Sequence, residues 1–345
     1  MSSASPLRAT LEALVEGRSL TEAAAHDLLV ALTESSLAPA MAGGLLAALR
    51  AKGVTADELR GFARGMRSLA RRPRLPDVGP TVDIVGTGGD ASHTFNLSTG
   101  TALLAVAAGA KVTKHGNRSI SSRSGSADLL EALGLAMPLD AHSAGECLAA
   151  TGFTFLFAPH YHPAMRAVAP VRAALGIRTV FNMLGPLTNP AEPPFHVIGA
   201  FSRDAARLMA ETLAGLPIER AFVVHGEPGW DEPTPAGPFL LYDVRPGEWC
   251  ERTRTAADYG LPSCAPEDLR GGDASHNAMR LLEVFTGSDR GAHRDALLMG
   301  TSLALEVMGI AADARDGVAQ AAAAIDGGGA SRLIESLGAF SRARA

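Results

Sequence analysis

From residue 81 onward the sequence alternates between short apolar runs and segments with helical periodicity, and this alternation leaves few folds open. The short runs, which we predict to be strands, cover residues 82–85, 111–113, 153–157, 197–200 and 222–224. The helical segments cover residues 102–108, 127–133, 204–213 and 294–308. Such alternation is typical of parallel strands joined by helices on both faces of a sheet. The sequence therefore predicts an α/β fold whose large domain has a mainly parallel sheet flanked by helices.

The start of the chain, in contrast, shows only helical periodicity. Leu59 and Phe62 lie on one predicted helix face, and Thr55 followed by Glu58 predicts a capping box at the start of that helix. Residues 71–76 contain two prolines, which a helix interior does not tolerate, so we predict a linker there. An all-helical unit therefore precedes the sheet-forming part of the chain.

Composition and charge exclude several classes of protein. At 345 residues, 47% hydrophobic and 19% charged, the chain has the length of about two domains and enough apolar residues for a sizeable core. Its net charge of −5 gives no general basic field for nucleic acid or an anionic membrane. Residues 1–20 lack the apolar core of a signal peptide, and the three cysteines are scattered. We expect a cytoplasmic protein with no nucleic-acid or membrane partner.

A glycine-rich turn, residues 86–91, follows the first predicted strand. Its letters GTGGDA satisfy the G-x-G-x-x-A pattern of dinucleotide-binding folds, but that fold also needs a carboxylate about 20 positions later, and residues 105–111 have none. Small polar side chains then open a helix: Thr94, Asn96, Ser98 and Thr99. Taken alone, this pattern fits an anion site no better than a tight strand-to-helix turn capped by Ser98 or Thr99.

A second turn of similar character follows the second predicted strand and adds positive charge. Around Gly116 the polar residues are Lys114, Asn117, Arg118, Ser119, Ser121, Ser122, Arg123 and Ser126. Glycine lets the backbone approach a phosphate closely, and a lysine with backbone amides and hydroxyls can bind a diphosphate. Two such turns in one predicted sheet favour phosphate binding over two solvated loops.

Acidic and basic residues further along give weaker signals. Asp231 and Glu232 follow the strand at 222–224; they could hold Mg²⁺ beside a substrate phosphate or form an acidic surface turn. Arg172, in the proline-rich segment 163–194, could bind a carboxylate or be solvated. Neither feature decides a function by itself.

The histidines are equally ambiguous. His115 could act as an acid or base, or could be a satisfied loop histidine. His160 and His162 have a spacing compatible with a metal, but no third ligand lies near them in the sequence. We assign no residue as a general base.

Taken in order, these segments resemble the anthranilate phosphoribosyltransferase family, and the resemblance covers nearly the whole chain. It is densest in residues 83–90 (DIVGTGGD), 94–99 (TFNLST), 114–122 (KHGNRSISS), 124–134 (SGSADLLEALG), 178–190 (RTVFNMLGPLTNP) and 223–226 (VVHG) with 231–232 (DE). So many motifs in the same order are a far stronger signal than a single glycine pattern.

The resemblance implies an architecture and a reaction. The architecture is a small helical domain of residues 1–77, completed by part of 163–190, and a large α/β domain of residues 78–345. The reaction is transfer of the 5-phosphoribosyl group from phosphoribosyl diphosphate to the amine of anthranilate, with release of diphosphate, in tryptophan biosynthesis. The resemblance further implies dependence on Mg²⁺ and a homodimer formed through the helical domain.

The resemblance also implies roles for individual residues. The catalytic residues would be Lys114, Asp231 and Glu232. The Mg²⁺ ligands would be Ser98, Asp231 and Glu232. Anthranilate would contact Gly86, Asn117 and Arg172, the last near its carboxylate. The residues implied to hold phosphoribosyl diphosphate are Gly86, Gly89, Asp90, Thr94, Asn96, Leu97, Ser98, Thr99, Lys114, His115, Gly116, Asn117, Arg118, Ser119, Ile120, Ser121, Ser122 and Ser126.

Three alternatives stay open on the sequence. A paralogue that ribosylates another aminobenzoate is suggested by departures from the family pattern at residues 91–93, at Trp230 and at residues 233–236 (PTPA). A pyrimidine nucleoside phosphorylase would have a different glycine- and threonine-rich loop at residues 124–128. A non-enzymatic nucleic-acid-binding relative would need a basic surface, which the net charge of −5 does not favour.

Overall fold

The computed structural model describes residues 4–89, 94–119, 123–227 and 229–344. The strands are β1 Val82–Gly86, β2 Val112–Gly116, β3 Phe153–Phe157, β4 Phe195–Gly199, β5 Arg220–Gly226, β6 Phe239–Arg245 and β7 Glu248–Arg254. The helices before β4 are α1 Ala4–Val15, α2 Glu22–Leu32, α3 Pro39–Lys52, α4 Ala56–Ser68, α5 Leu97–Ala107, α6 Ser126–Ala132, α7 Ala141–Thr151, α8 Ala158–Tyr161, α9 Met165–Leu175 and α10 Phe181–Leu184. Those after it are α11 Arg203–Leu213, α12 Ala274–Phe285, α13 Ala292–Val307, α14 Ala314–Asp326 and α15 Gly329–Arg342. Short 3₁₀ helices cover Gly185–Leu187, Ala256–Tyr259 and Pro266–Leu269.

The sheet has seven strands in the order β3-β2-β1-β4-β5-β6-β7. The first five strands in this order are parallel, and β6 and β7 are antiparallel to their neighbours. The predicted α/β class with a mainly parallel sheet is confirmed. The hairpin of β6 and β7 was not predicted, and it makes the sheet mixed.

The second strand extends further than predicted. The sequence places Lys114 and His115 in a turn, but both lie in β2, where they pair with Phe155 and Leu156 of β3. From the sequence alone, polar side chains at the end of a buried strand are easily predicted to form a turn. Because Lys114 belongs to a central strand, its side chain is buried and its backbone is fixed by the ladder.

The four N-terminal helices pack closely against one another. The predicted capping box is confirmed: Thr55 accepts from the N–H of Glu58, and the Glu58 side chain accepts from the N–H of Thr55 at 2.9 Å. A side chain at Gly61 of α4 would clash with the carbonyl oxygen of Glu22 in α2, so this glycine lets the two helices meet. Residues 71–76, the predicted linker, contain no helix or strand.

The sheet is covered on both faces. Ile84, Phe222 and Val224 face a core formed with α5–α7 and α12–α15. Ile198 and Val223 face a second core that contains α11, residues of α1–α4 and the segment of α9 and α10. Alternate side chains of each strand point to opposite faces, which gives these two cores. The helical start of the chain is therefore packed against α11 and α9–α10 rather than standing alone.

The segment that follows β3 leaves the sheet and returns to it. Helix α9 runs to Leu175 with Pro170 inside it, and it packs against α3. The ring of Phe181 lies 6.1 Å from that of Phe62, edge to face. Asn189 then donates a hydrogen bond to Asp83 at 2.8 Å and brings the chain back to β1. Among the described residues, no helix has the length and apolar character needed to cross a membrane.

Candidate active site

Both sequence-predicted turns lie at the carboxyl ends of neighbouring parallel strands, β1 and β2. In the first turn Gly88 and Gly89 have φ of +69° and +71°, a region that side-chain-bearing residues rarely adopt. At Gly86 an added Cβ would clash with the carboxylate of Asp231. The glycines therefore both shape this turn and allow an acidic side chain to lie against it.

Asp231 lies directly on the first turn. Its Oδ2 accepts hydrogen bonds from the backbone N–H of Gly88 at 2.6 Å and from the hydroxyl of Thr87 at 3.4 Å. The acidic pair is held there by its neighbour Trp230, which is buried and exchanges backbone hydrogen bonds with Gly226. Asp231 itself is buried, with 8% of its surface exposed. Of the two interpretations of this acidic pair, a solvated surface turn is therefore wrong for Asp231.

Glu232 lies at the start of α5. Its carboxylate accepts from the backbone N–H of Ser98 at 3.0 Å and from the hydroxyl of Thr94 at 3.1 Å. The expectation that Ser98 or Thr99 caps this helix is wrong: the helix begins at Leu97, one residue earlier, and its cap position makes no side-chain hydrogen bond to the helix. A helix N-terminus favours a negative charge, and Glu232 supplies one from elsewhere in the chain.

The side chain of Lys114 also reaches the start of α5. It is 1% exposed, and its Nζ donates to the carbonyl of Ile84 and, at 3.4 Å, to the hydroxyl of Ser98. Burial lowers the pKa of Lys114 to about 8, although the carboxylates of Asp83, Glu232 and Asp231 raise it. Ser98 thus contacts both Lys114 and Glu232.

The second turn folds back onto the start of α6. Arg118 forms ion pairs with Asp128 at 2.8 Å and with Glu131. Asp128 also accepts from the N–H groups of Ser119 at 3.1 Å and Gly125 at 2.9 Å. Arg118, predicted to bind phosphoribosyl diphosphate, is paired with carboxylates in the structure.

The other predicted residues differ in which of their atoms a ligand could reach. The side chains of Leu97 and Thr99 are buried in α5, so only their backbone could meet a ligand. Asn117 contributes its carbonyl to the N–H of Ala127, and Ser126 is the first residue of α6. Four predicted residues lie outside the described part of the chain: Asp90, Ile120, Ser121 and Ser122.

The side chains of His115, in β2, and His162 lie against each other. Their rings lie 5.1 Å apart, edge to face, and His115 Nδ1 lies 3.1 Å from the carbonyl oxygen of Gly185. Burial lowers the pKa of His115 to about 3 and that of His162 to about 4. Both imidazoles are therefore neutral at pH 7.

Arg172 lies in α9, on the segment that leaves the sheet. Its guanidinium is half-buried and lies 5.2 Å from the ring centroid of Phe181. Burial lowers its pKa, and it forms no ion pair with a described residue. A half-buried arginine of this kind can donate paired hydrogen bonds to a carboxylate.

Two residues with direct contacts to the site were missed from the sequence. Arg178 donates to the carbonyl of Gly89 and stacks 4.1 Å from the centroid of Phe201. Asn277, in α12, donates to the side chain of Asn96 at 2.8 Å. Arg178 lies within a quoted family motif, which was a usable signal, whereas Asn277 lies in a helix far along the chain.

The donor chemistry of the site suits a hard cation. The candidate ligands, Ser98, Asp231 and Glu232, supply oxygen atoms only. Within residues 4–89, 94–119, 123–227 and 229–344, no three or more His, Cys, Asp or Glu side chains gather in a metal-binding group. Two carboxylates and a hydroxyl leave coordination positions for substrate oxygens.

Two family models match the chain. The model described as "Glycosyl transferase family, helical bundle domain" matches residues 8–70, and the one described as "Glycosyl transferase family, a/b domain" matches residues 78–331. Together with the mixed sheet, they define a member of the glycosyl transferase family with a helical part and an α/β part.

Relatives of this chain carry one name. The anthranilate phosphoribosyltransferase of Rubrobacter xylanophilus is 45% identical over 336 residues, which are 97% of this chain and 98% of that protein. The crystal structure of the Thermus thermophilus enzyme is 42% identical, with a TM-score of 0.90 and coverage of 96% of this chain and 99% of that one. The Saccharomyces cerevisiae enzyme in complex with PRPP and Mg is 27% identical, with a TM-score of 0.90 over 99% of each chain. This chain belongs to the anthranilate phosphoribosyltransferase family of transferase enzymes.

Proposed function

We propose that this chain transfers the 5-phosphoribosyl group of phosphoribosyl diphosphate to the amine of anthranilate, giving N-(5-phosphoribosyl)anthranilate and diphosphate. The observation that carries the proposal is that Lys114 and Glu232 both contact Ser98, while Asp231 lies on the first glycine turn. The hydroxyl of Ser98 lies 3.4 Å from Lys114 Nζ and its N–H lies 3.0 Å from Glu232, while Asp231 lies 2.6 Å from the N–H of Gly88. A cation, two carboxylates and two backbone donors are what a metal-bound diphosphate requires.

Mg²⁺ is the proposed cofactor. Asp231 and Glu232, with the hydroxyl of Ser98, would hold it, and their oxygen-only chemistry fits this ion. When bound, Mg²⁺ neutralises the charge that develops on the departing diphosphate. The yeast relative solved with PRPP and Mg supports this assignment.

The chain's own residues would bind and orient the two substrates. Lys114 and the backbone N–H groups of Gly88 and Ser98 stabilise negative charge on the diphosphate as its bond to the anomeric carbon breaks. Gly86, Asn117 and Arg172 position anthranilate, with Arg172 at the carboxylate, so that the amine nitrogen forms the new bond.

No general base is assigned. An aromatic amine is neutral at pH 7 and attacks without prior deprotonation, so its proton can leave to solvent after the new bond forms. His115 is a neutral, buried imidazole at this pH and is proposed only as a neighbour of the phosphoribosyl diphosphate site. The remaining predicted contacts, from Thr94, Asn96 and the second turn through Ser126, complete that site.

The domain division is also proposed. A unit of residues 1–77 with part of 163–190 would move relative to residues 78–345 and carry Arg172 toward Gly86 when both substrates are bound. One hydrophobic core joins the N-terminal helices to α9 and α10, which supports this grouping, and the same core continues to α11 and one face of the sheet. We further propose a cytoplasmic homodimer formed through the helical unit, acting on small molecules only.

The alternatives have less support. The relatives that match nearly the whole chain are named anthranilate phosphoribosyltransferase. One yeast structure contains 4-fluoroanthranilate. Neither a nucleoside phosphorylase nor a nucleic-acid-binding role is favoured by an observation of the structure. Retention on heparin at low salt would favour nucleic-acid binding, and we expect none.

The test is diphosphate release from phosphoribosyl diphosphate by the purified chain. We expect release only when anthranilate and Mg²⁺ are both present, and its loss on adding EDTA. Phosphorolysis of a pyrimidine nucleoside by inorganic phosphate, with release of the free base, would contradict the proposal, and so would the absence of diphosphate release with every aminobenzoate.

A further inference from the structure

Asn277 is a buried polar residue outside every motif that pointed to the site. It lies in α12 and is 1% exposed. Its Oδ1 accepts from the backbone N–H of Gly272 at 2.8 Å, and its Nδ2 donates to Oδ1 of Asn96 at 2.8 Å. Because a buried amide is stable only when its polar atoms are paired, these two bonds fix which way the amide faces.

Asn96 continues the hydrogen bonds to the second turn. With its oxygen occupied by Asn277, its Nδ2 donates to the carbonyl oxygen of Ser124 at 3.0 Å. Asn96 precedes the first residue of α5, yet its side chain does not cap that helix. The side chain therefore serves as a bridge between the start of α5 and the loop before α6, and both ends of this bridge belong to the proposed phosphoribosyl diphosphate site.

The chain just before Asn277 holds the same region by its backbone. Leu269 accepts a hydrogen bond from the N–H of Phe95 at 3.0 Å, and Arg270 pairs with Thr94 as an isolated antiparallel bridge. At Gly271 an added Cβ would lie 2.6 Å from the carbonyl oxygen of Thr94, so only glycine allows this close approach. Residues 269–271 thus position the backbone at the entrance to α5, and Asn277 positions the side chain of Asn96 there.

We infer that Asn277 is a positioning residue for phosphoribosyl diphosphate, which rests on the proposed function. Asn277 orients the Asn96 amide, and Asn96 in turn keeps the start of α5 at a fixed separation from the loop that contains Ser124. Asn277 acts through Asn96 and not by touching substrate. Its loss weakens phosphoribosyl diphosphate binding and leaves the acceptor site, on α9 and the ends of β1 and β2, unchanged.

The most direct variant is Asn277→Asp. The introduced carboxylate still accepts from Gly272 but cannot donate to Asn96. Asn96 must then turn its amide to donate to the carboxylate, which places its oxygen against the carbonyl of Ser124. We expect the KM for phosphoribosyl diphosphate, and its Kd by calorimetry, to rise about tenfold, the effect of about one misplaced hydrogen bond. The KM for anthranilate should stay within about twofold.

A double-mutant cycle separates positioning from general destabilisation. Asn277→Ala and Asn96→Ala should each weaken phosphoribosyl diphosphate binding, and the double variant should be no weaker than Asn96→Ala alone, because both act through one amide. Asp273→Ala is the matched control. It removes the capping bond to His276 of the same helix and should lower the unfolding midpoint without changing the Kd.

The outcomes are distinct. Equal losses in Asp273→Ala and Asn277→Ala, or multiplying effects in the cycle, would overturn the positioning role. Wild-type protein that binds phosphoribosyl diphosphate without ribosylating anthranilate overturns the proposed acceptor, and the binding cycle still decides the role of Asn277. Wild-type protein that does not bind phosphoribosyl diphosphate overturns both.

Discussion

The carboxylate of Glu232 accepts a hydrogen bond from the backbone N–H of Ser98, 3.0 Å away, at the N-terminus of α5. This is the position where a helix favours an anion. In the structure, Glu232 provides that anion itself. A diphosphate therefore has to compete with this side chain unless a cation draws the carboxylate away.

This competition gives a prediction for Glu232→Gln. Without metal, the variant should bind phosphoribosyl diphosphate several-fold more tightly than the wild type, because a repelling charge is removed. With Mg²⁺, its turnover should fall by about two orders of magnitude, because a ligand is lost. Calorimetry in EDTA and a Mg²⁺ titration of turnover measure the two effects. Glu227→Gln, an exposed carboxylate on the same turn, is the control and should change neither.

Lys114 gives a prediction about pH. Its pKa is lowered to about 8 by burial, so kcat/KM for phosphoribosyl diphosphate should fall as pH rises through about 8. Unfolding does not explain that fall: between pH 8 and 10.5 the unfolded chain binds more protons at this group than the folded chain, so Lys114 raises stability with pH there.

Lys114→Met tests the assignment. It should reduce turnover by more than about a hundredfold and should not lower the unfolding midpoint, because it removes a buried charge. Lys111→Met, at an exposed position in the same chain segment, is the control. An unchanged pH profile in the Lys114 variant would remove the lysine from the mechanism.

Arg172 gives a prediction about the acceptor. Arg172→Ala should raise the KM for anthranilate by about tenfold to a hundredfold and leave the KM for phosphoribosyl diphosphate within about twofold, because the lost partner is that of the carboxylate. Steady-state kinetics with each substrate varied in turn measure the split. Arg166→Ala, on the same helix, is the control. Equal effects on both substrates would contradict the assigned role.

Buried histidines make the fold sensitive to acid. Burial lowers the pKa of His115 and His196 to about 3 and that of His162 to about 4. Because the unfolded chain protonates them first, stability falls as pH drops below about 6.5, by about 1.4 kcal/mol per pH unit for each ring. Asp83 opposes this trend: burial raises its pKa to about 6, so below that pH its folded form gains protons first.

The measurement is urea unfolding at pH 7 and pH 5. His196→Gln should reduce the loss of unfolding free energy between the two values by about 2 kcal/mol. His142→Gln, at an exposed position, should leave it unchanged. A His196 variant with the wild-type pH dependence would show that this ring is not buried in its neutral form.

Much of the fold could be predicted because strands, glycine turns and helices follow one another along the sequence. The hairpin of β6 and β7 was missed because β7 gives no strand signal, although the turn before it does. The side chains of β7 are largely exposed and polar, so the strand lacks an apolar run. The turn at Pro246 and Gly247, with φ of +80° at the glycine, was an available signal for a hairpin.

The site could be predicted where its residues follow strands, and not where distant elements meet. The sequence identified Asp231 and Glu232 as an acidic pair. It could not show that Asp231 accepts a hydrogen bond from Gly88 or that Glu232 accepts one from Ser98. Asn277 gave no signal, because one polar residue in an amphipathic helix looks the same whether it faces solvent or Asn96. Lys114 was predicted to lie in a turn and lies in β2 instead, since its burial depends on the neighbouring strands.

Identification of the product tests the central claim most directly. Purified protein would receive phosphoribosyl diphosphate, Mg²⁺ and an equal mixture of anthranilate and its 3- and 4-amino isomers, and the products would be identified by chromatography and mass spectrometry. We predict loss of anthranilate alone, with one N-(5-phosphoribosyl)anthranilate formed for each diphosphate released. Preferential loss of either isomer, or diphosphate release without a ribosylated amine, would contradict the account.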